Sequence, residues 1–86
     1  MKLKDTFIVH RTADETILVP VGGTGFSGIV RGNATLGDIL DLLETDTDVP
    51  ALVSAMAARY DAPEDVLRRD VEKTLAELRS IGALDA

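Results

Sequence analysis

The sequence predicts an α+β domain in which three antiparallel strands precede three helices. Up to about residue 32 the chain is rich in β-branched residues and glycine, and beyond that point it is rich in Ala, Leu, Asp and Glu. The first composition is typical of strands and their turns, and the second is typical of helices. The chain has 86 residues, and it contains no internal repeat or linker, so we expect residues 1–86 to form one domain.

Three segments near the start are predicted as strands. Residues 6–11 and 16–21 are separated by four turn-forming residues, and we interpret them as a hairpin. Pro20 has no N–H to donate, so we expect its position to lie at a sheet edge or a bulge. After the glycine-rich loop at residues 22–25, residues 26–31 are expected to form the third strand.

Start and stop signals divide the remainder into three helices. Thr35, with an acid three residues later, has the spacing of a capping box, and residues 45–48 offer the N-cap of the second helix. Asp61, followed by Pro63, predicts the start of the last and longest helix, and Gly82 stands where a C′ glycine should. Apolar residues at helical spacing are expected to form the core: Leu36, Ile39, Leu40, Leu43, Val49, Leu52, Val53, Met56, Ala57, Tyr60, Leu67, Val71, Leu75 and Leu78.

This order of elements indicates a winged helix-turn-helix-like fold, in which two helices joined by a tight turn lie beside a small antiparallel sheet. In this chain the strands precede the helices, which is not the commonest version of that arrangement. Another short α+β topology is the structural alternative.

The net charge of -6 argues against several classes of function. Residues 1–33 carry four basic and three acidic side chains, whereas residues 34–86 carry five basic and twelve acidic ones. An acidic surface repels nucleic acid at long range, and three aromatic residues are too few for a base-stacking platform. No run of about 18 apolar residues occurs, and the charged start leads into no signal-like segment. We therefore expect a cytoplasmic protein with no membrane partner.

No cluster of residue types indicates catalysis or a metal site. Cysteine is absent, and His10 is the single histidine, which we expect at the surface or rim of the first strand. Asp38 and Asp41 could pair as catalytic carboxylates, but helix capping and the helix dipole already explain acids at such positions. We expect neither an enzyme nor a bound cofactor or metal.

Residues 23–28 match the phosphate-binding pattern G-x-G-x-x-G. That pattern requires a helix to open directly from the loop, so that phosphate meets the free N–H groups of its first turn. Here Ile29 and Val30 follow instead, and the chain is too short for a dinucleotide fold. We interpret the segment as a loop that enters a strand.

Two surfaces remain as candidates for binding. The last helix carries Arg68, Arg69, Lys73 and Arg79, as a DNA recognition helix would, but five acids interleave with these four bases. The segment 26–32, which holds the third strand, is short, contains two glycines and lies between a hairpin and a helix. If this strand forms the sheet edge, its free N–H and C=O groups can pair with an extended peptide.

A family resemblance spans nearly the whole chain. The segments that carry it are residues 4–9, 17–22, 26–30, Asn33, Thr35, Tyr60, Asp61, residues 70–72, Leu75, Leu78, Gly82 and Leu84. In their order and spacing the chain resembles the PqqD-like family, the recognition elements that bind leader peptides of ribosomally made, post-translationally modified peptides. The chain departs from the family pattern at residues 33–36, where Asn-Glu-Thr-Gly is frequent, at Asp38, where an aromatic residue is frequent, and at Leu40, where Trp is frequent.

The resemblance implies a non-catalytic protein with three strands and three helices. It implies that a leader peptide is added as a strand along the third strand, against the last helix, and that the core peptide is presented to a modifying enzyme, often a radical SAM enzyme. The implied contact residues are Ser27, Gly28, Ile29, Val30 and Arg31 on the strand and Leu67, Asp70, Val71 and Thr74 on the helix. Two alternatives stay open: a winged-helix DNA-binding or transcription-regulatory protein, and an adaptor that forms a homodimer through the same edge strand.

Overall fold

The computed structural model describes residues 1–21 and 30–85, and within those ranges it contains five strands and three helices. In chain order the elements are β1 (Lys2–Leu3), β2 (Phe7–Arg11), β3 (Thr16–Pro20), β4 (Val30–Gly32), α1 (Ala34–Leu42), α2 (Val49–Arg59), α3 (Glu64–Ser80) and β5 (Leu84–Asp85). The predicted α+β class, with a three-stranded sheet before three helices, is confirmed. The predicted loop at 22–25, the pattern at 23–28 and residues 26–29 of the predicted third strand lie outside the described residues.

The main sheet is antiparallel, and β3 is its central strand between β2 and β4. The predicted hairpin is confirmed, with Phe7 opposite Pro20 and Arg11 opposite Thr16. Pro20 belongs to the central strand, at a position where the described residues pair it with β2 only, so the expected edge or bulge at this position stays a prediction. It is the last residue of β3, two residues beyond the described pairing of β3 with β4, so its missing N–H interrupts no described ladder.

A second sheet, which was not predicted from the sequence, joins the two ends of the described chain. In this sheet β1 pairs with β5, and Leu3 lies opposite Leu84. The Leu3 N–H also donates to the carbonyl of Leu43, and the Lys4 N–H donates to the carbonyl of Ala83, both at 2.9 Å. Strands of two residues are too short to show a hydrophobic period, which is why the sequence pattern missed them.

Asn33 caps α1, and the capping box expected at Thr35 is wrong. The Oδ1 atom of Asn33 accepts hydrogen bonds from the N–H groups of Thr35 at 3.1 Å and Leu36 at 3.3 Å. The backbone of Asn33 is extended, with φ -91° and ψ -170°, which is the usual conformation of an N-cap residue. Thr35 lies inside the first turn and does not cap the helix.

The other two helices differ in whether a side chain caps their first turn. Asp48 caps α2, because its Oδ1 atom accepts a hydrogen bond from the N–H of Ala51 at 2.9 Å, and this agrees with the cap expected within residues 45–48. α3 has no side-chain cap, and Pro63 occupies the N-cap position. The cap expected at Asp61 is wrong, because Asp61 lies two residues before the N-cap position and is exposed.

α3 ends in a Schellman motif, which confirms the expected C′ glycine. Gly82 has a φ of +72°. Its N–H donates to the Arg79 carbonyl at 3.0 Å, and the N–H of Ala83 donates to the Leu78 carbonyl at 2.9 Å. This pair of bonds satisfies two carbonyls that the helix itself leaves free, and the left-handed backbone at C′ favours glycine.

The core brings together one face of the main sheet and the apolar faces of all three helices. Its buried hydrophobic residues are Phe7, Leu18, Ile39, Leu40, Leu43, Leu52, Val53, Met56, Leu67, Val71, Leu75, Leu78, Ala83 and Leu84. The predicted core positions of α3 are all buried, whereas Leu36, Val49 and Tyr60 are half-buried. Ala57 is exposed, so the apolar stripe of α2 is narrower than expected. No helix within residues 1–21 and 30–85 has the length and apolar composition of a membrane span.

Gly82→Ala should lower the free energy of unfolding by about 1 kcal/mol, because a Cβ in the left-handed region costs roughly 1–2 kcal/mol. A Cβ at this position would meet no atom within 4 Å, so the backbone conformation alone sets the cost. Urea unfolding measures the difference. Gly82→Asn is the matched control, and it should lose less stability because asparagine tolerates this conformation. Equal stability of Gly82→Ala and the wild type would contradict the assignment.

Candidate functional site

A groove of about 330 Å³ lies between the end of β4, the start of α1 and one face of α3. Its lining is mixed in character, with apolar, polar, basic and acidic side chains. The lining residues are Val30, Arg31, Gly32, Asn33, Thr35, Leu36, Asp70, Lys73, Thr74 and Glu77. The groove is therefore bounded by a sheet edge on one side and by a helix face on the other, as an extended ligand would require.

The hydrogen bonds of β3 determine which backbone groups face each of its neighbours. The N–H of Val21 donates to the Thr6 carbonyl at 2.8 Å, and the N–H of Thr12 donates to the Glu15 carbonyl at 2.9 Å. These bonds continue the register of the hairpin, so the odd-numbered residues of β3 bond to β2. Successive residues of a strand direct their backbone groups to opposite sides. The even-numbered residues of β3 therefore bond to β4.

Arg31 directs its backbone N–H and C=O away from the sheet. Thr16 lies opposite Gly32 and Leu18 lies opposite Val30, so Val30 and Gly32 are the residues of β4 that bond to β3. Arg31 lies between them and has the opposite orientation. No strand of the described part of the chain pairs with β4 on that side. Among the described residues nothing pairs with the main chain of Arg31 on its outward side, where an added strand could bind.

Gly32 allows α1 to begin immediately after β4. A Cβ at Gly32 would lie 2.9 Å from the Cβ of Leu36 and 2.5 Å from its Cδ2 atom, both too close for ordinary contact. Glycine at this position lets the first turn of α1 fold over the end of the strand. The start of α1 thereby closes one end of the groove with Leu36, which is half-buried.

The helical wall of the groove is one face of α3. Asp70, Lys73, Thr74 and Glu77 follow at the spacing i, i+3, i+4 and i+7, which places them on one side of the helix. Thr74 is half-buried, and the three charged residues are exposed. This face borders the apolar face of α3 that enters the core.

The structure separates the nine predicted contact residues into three groups. Val30, Arg31, Asp70 and Thr74 line the groove. The predicted contacts at residues 27–29 lie outside the described residues. Leu67 and Val71 belong to the core, with 5% and 1% of their surface exposed, and neither lines the groove.

Six lining residues were not among the predicted peptide contacts: Gly32, Asn33, Thr35, Leu36, Lys73 and Glu77. For Lys73 and Glu77 a signal was present, because they follow Asp70 by three and seven residues and so share its helix face. The other four lie at the junction of β4 with α1. Their position depends on how that junction packs against α3, which no local pattern reports.

Asp38 is the centre of a polar cluster that joins β2, α1 and α2. Its carboxylate accepts a hydrogen bond from the Tyr60 hydroxyl. It also lies 3.4 Å from Nη2 of Arg11 and 3.3 Å from Nη1 of Arg59. The Nη1 atom of Arg11 is 2.6 Å from Oδ2 of Asp41. The expectation that capping explains Asp38 and Asp41 is wrong, since both carboxylates form ion pairs across elements.

The cluster shifts the pKa values of its central pair in opposite directions. The hydrogen bond from Tyr60 lowers the pKa of Asp38 below its ordinary 3.8; partial burial opposes this shift, and the charges of Arg11 and Arg59 add to it. The same hydrogen bond raises the pKa of the Tyr60 hydroxyl above its ordinary 10.0, with a further contribution from burial. Asp38 is therefore ionised and Tyr60 protonated throughout the neutral range.

Gly37 makes the approach of α1 to the hairpin possible. A Cβ at this position would lie 2.5 Å from Nε of Arg11 and 2.6 Å from Oγ1 of Thr16. The guanidinium of Arg11 occupies the space that a side chain at residue 37 would need. The contact brings Arg11 close enough to reach the carboxylates of α1.

The described surface offers little support for metal binding or DNA recognition. Across residues 1–21 and 30–85, no three His, Asp or Glu side chains come together as a metal site requires. On α3, Arg68 lies 3.4 Å from Glu64, and Lys73 shares its face with Asp70 and Glu77. The bases of α3 thus alternate with acids instead of forming a continuous basic patch.

Comparisons with known proteins identify the relationships of the chain. The family model of coenzyme PQQ synthesis protein D (PqqD) matches residues 15–84. A solved structure of TbiB1 in complex with the TbiA(beta) leader peptide is similar to this chain with a TM-score of 0.76. The two share 26% sequence identity, over 99% of this chain and 100% of that one. No curated protein matches. The family resemblance found in the sequence is confirmed.

Tyr60→Phe should lower the free energy of unfolding by about 1–2 kcal/mol at neutral pH, because it removes a hydrogen bond to a charged carboxylate. A carboxyl whose pKa is lowered by folding stabilises fully above its unfolded pKa, and that contribution is lost as the pH falls through the folded pKa. The difference from the wild type should therefore shrink once the pH falls below 3.8, the ordinary pKa of Asp38. Urea unfolding at a series of pH values measures it.

Asp41→Asn is the control for Tyr60→Phe. It removes an exposed ion pair with Arg11 and should cost less than about 1 kcal/mol. A stability loss in Tyr60→Phe that stays constant from neutral to acidic pH would mean that Tyr60 stabilises the fold without the Asp38 charge.

Proposed function

The chain belongs to the PqqD family, and from this premise we propose that it binds the leader segment of a ribosomally made precursor peptide. One observation carries the proposal. The fold that this chain shares over its whole length with TbiB1 is the fold that holds a leader peptide in the TbiB1 complex. The groove between β4 and α3 gives this chain a place where an extended peptide fits.

The proposed mode of binding is addition of a strand to the main sheet. A peptide that lies beside β4 accepts a hydrogen bond from the Arg31 N–H and donates one to the Arg31 carbonyl. Such main-chain bonds supply affinity, hold the peptide extended and are independent of its sequence. Alternate side chains of the peptide face α3, where the groove wall selects among them.

The role of the protein in this function is delivery. Binding the leader holds the remainder of the precursor at a fixed place relative to the domain, which raises its local concentration for a modifying enzyme that docks nearby. The covalent chemistry belongs to that enzyme, for which a radical SAM enzyme is the class that the family resemblance implies. No groove residue has to act as an acid, a base or a nucleophile.

Arg31→Pro should weaken binding of the precursor about ten-fold or more. Proline removes the outward N–H and leaves a peptide carbonyl without its partner, a loss of roughly 1–3 kcal/mol. The strand itself should tolerate the change, because the lost N–H is not one that bonds to β3. The probe is the short peptide that tagged wild-type protein captures from a lysate of the source organism, identified by mass spectrometry and then synthesised for titration.

Arg31→Ala is the matched control, because it removes the same side chain and keeps the N–H. It should retain the peptide with an affinity within a few-fold of the wild type, whereas Arg31→Pro should lose it. Circular dichroism establishes that both variants are folded. If folded Arg31→Pro binds the peptide as tightly as Arg31→Ala does, strand addition at β4 is wrong.

A further inference from the structure

Three charged side chains on the groove wall of α3 form no ion pair with any residue in the ranges 1–21 and 30–85. Asp70, Lys73 and Glu77 line the groove and are exposed. Among the ion pairs of the described residues none includes any of the three. On another face of the same helix, Arg68 pairs with Glu64 at 3.4 Å. The groove-facing charges are thus left for a ligand to neutralise.

The order of these charges along the helix is negative, positive, negative. The helix rises about 1.5 Å per residue, so Asp70 and Glu77 are separated by roughly 10.5 Å along its axis. In an extended peptide, side chains on one face recur about every 6.6 Å, so three successive ones span roughly 13 Å. The span of the three peptide side chains therefore exceeds the distance between Asp70 and Glu77 by about 1.3 Å at each end. Long flexible side chains such as Lys and Arg can accommodate this difference.

From this match we infer that the protein selects leader segments with the pattern basic-x-acidic-x-basic, where x is any residue. The central acidic side chain faces Lys73, and the flanking basic side chains face Asp70 and Glu77. The x positions point away from α3 and are not read by it. The pattern is the same in both chain directions, so the inference holds for parallel and antiparallel addition. It rests on the proposed function, because it assumes an extended peptide in the groove.

Selection from a random peptide library tests the inference without knowledge of the natural leader. A library of random ten-residue peptides displayed on phage is selected at about 50 mM salt, where screening of exposed charges is weak. Wild-type protein should enrich basic-x-acidic-x-basic. A variant with inverted charges, Asp70→Lys with Lys73→Glu and Glu77→Lys, should enrich acidic-x-basic-x-acidic instead. The best wild-type peptide should bind this variant at least about ten-fold more weakly.

A second variant inverts three charges on the opposite flank of α3 and is the matched control. The control variant carries Asp65→Lys with Arg69→Glu and Glu72→Lys, all at exposed positions outside the groove. These three residues have the same order of charges as the groove residues, negative, positive and negative, so both variants change the net charge by the same amount. It should enrich the wild-type pattern. If it too enriches the inverted pattern, the overall charge of the helix selects the peptide, and the inference is wrong.

The outcomes separate this inference from the proposed function. In one outcome, the enriched peptides fail to bind Arg31→Pro, but wild-type and groove-inverted protein enrich the same charge pattern or no charge pattern. Strand addition is then supported, and the charge pattern is overturned. If no enriched peptide depends on the Arg31 N–H, the proposed function fails and the pattern fails with it. Reversal of the enriched charges by the groove inversion alone supports the inference.

Discussion

The packing of the apolar face of α3 into the core fixes the width of the groove. Leu67, Val71, Leu75 and Leu78 are buried on that face, and each such side chain contributes roughly 1.5–3 kcal/mol when fully removed from water. The neighbouring face of the same helix is thereby held at a set distance from β4. This explains how Leu67 and Val71 bear on the groove although they do not line it. They position the wall, while Asp70, Lys73, Thr74 and Glu77 form it.

The sheet imposes a second constraint, which concerns direction. Because β3 alternates its hydrogen bonds between its two neighbours, only Arg31 among the three described residues of β4 directs its backbone outward. In the proposed complex, main-chain pairing along the described part of this edge therefore consists of the two hydrogen bonds of Arg31. In the proposed complex, discrimination between peptides comes from side chains, and the charges of Asp70, Lys73 and Glu77 are the groups inferred to supply it. The proposal thus assigns main-chain affinity to the strand wall of the groove and selectivity to its helix wall.

The parts of the structure that follow local rules were predictable from the sequence. The hairpin, the cap within residues 45–48, the Schellman glycine Gly82 and the buried stripe of α3 each depend on residues a few positions apart. The errors arose where two local solutions compete, as with Asn33 and Thr35 at the start of α1. The β1–β5 pairing and the contacts of Asp38 with Arg11 and Tyr60 join distant parts of the chain, and no local period encodes them. The groove contains one part of each kind. Its α3 face follows the helical spacing of residues and was predictable, whereas the junction of β4 with α1 depends on tertiary packing and was not.

The β1–β5 sheet makes the two ends of the described chain neighbours, with Lys2 directly opposite Asp85. A polypeptide that enters through β1 and leaves through β5 does so at one point on the surface, a few ångströms apart. Both ends of the described chain therefore leave the domain at one place on its surface. A segment that precedes β1 and one that follows β5 are therefore joined to the domain at neighbouring points, both at a fixed place relative to the groove.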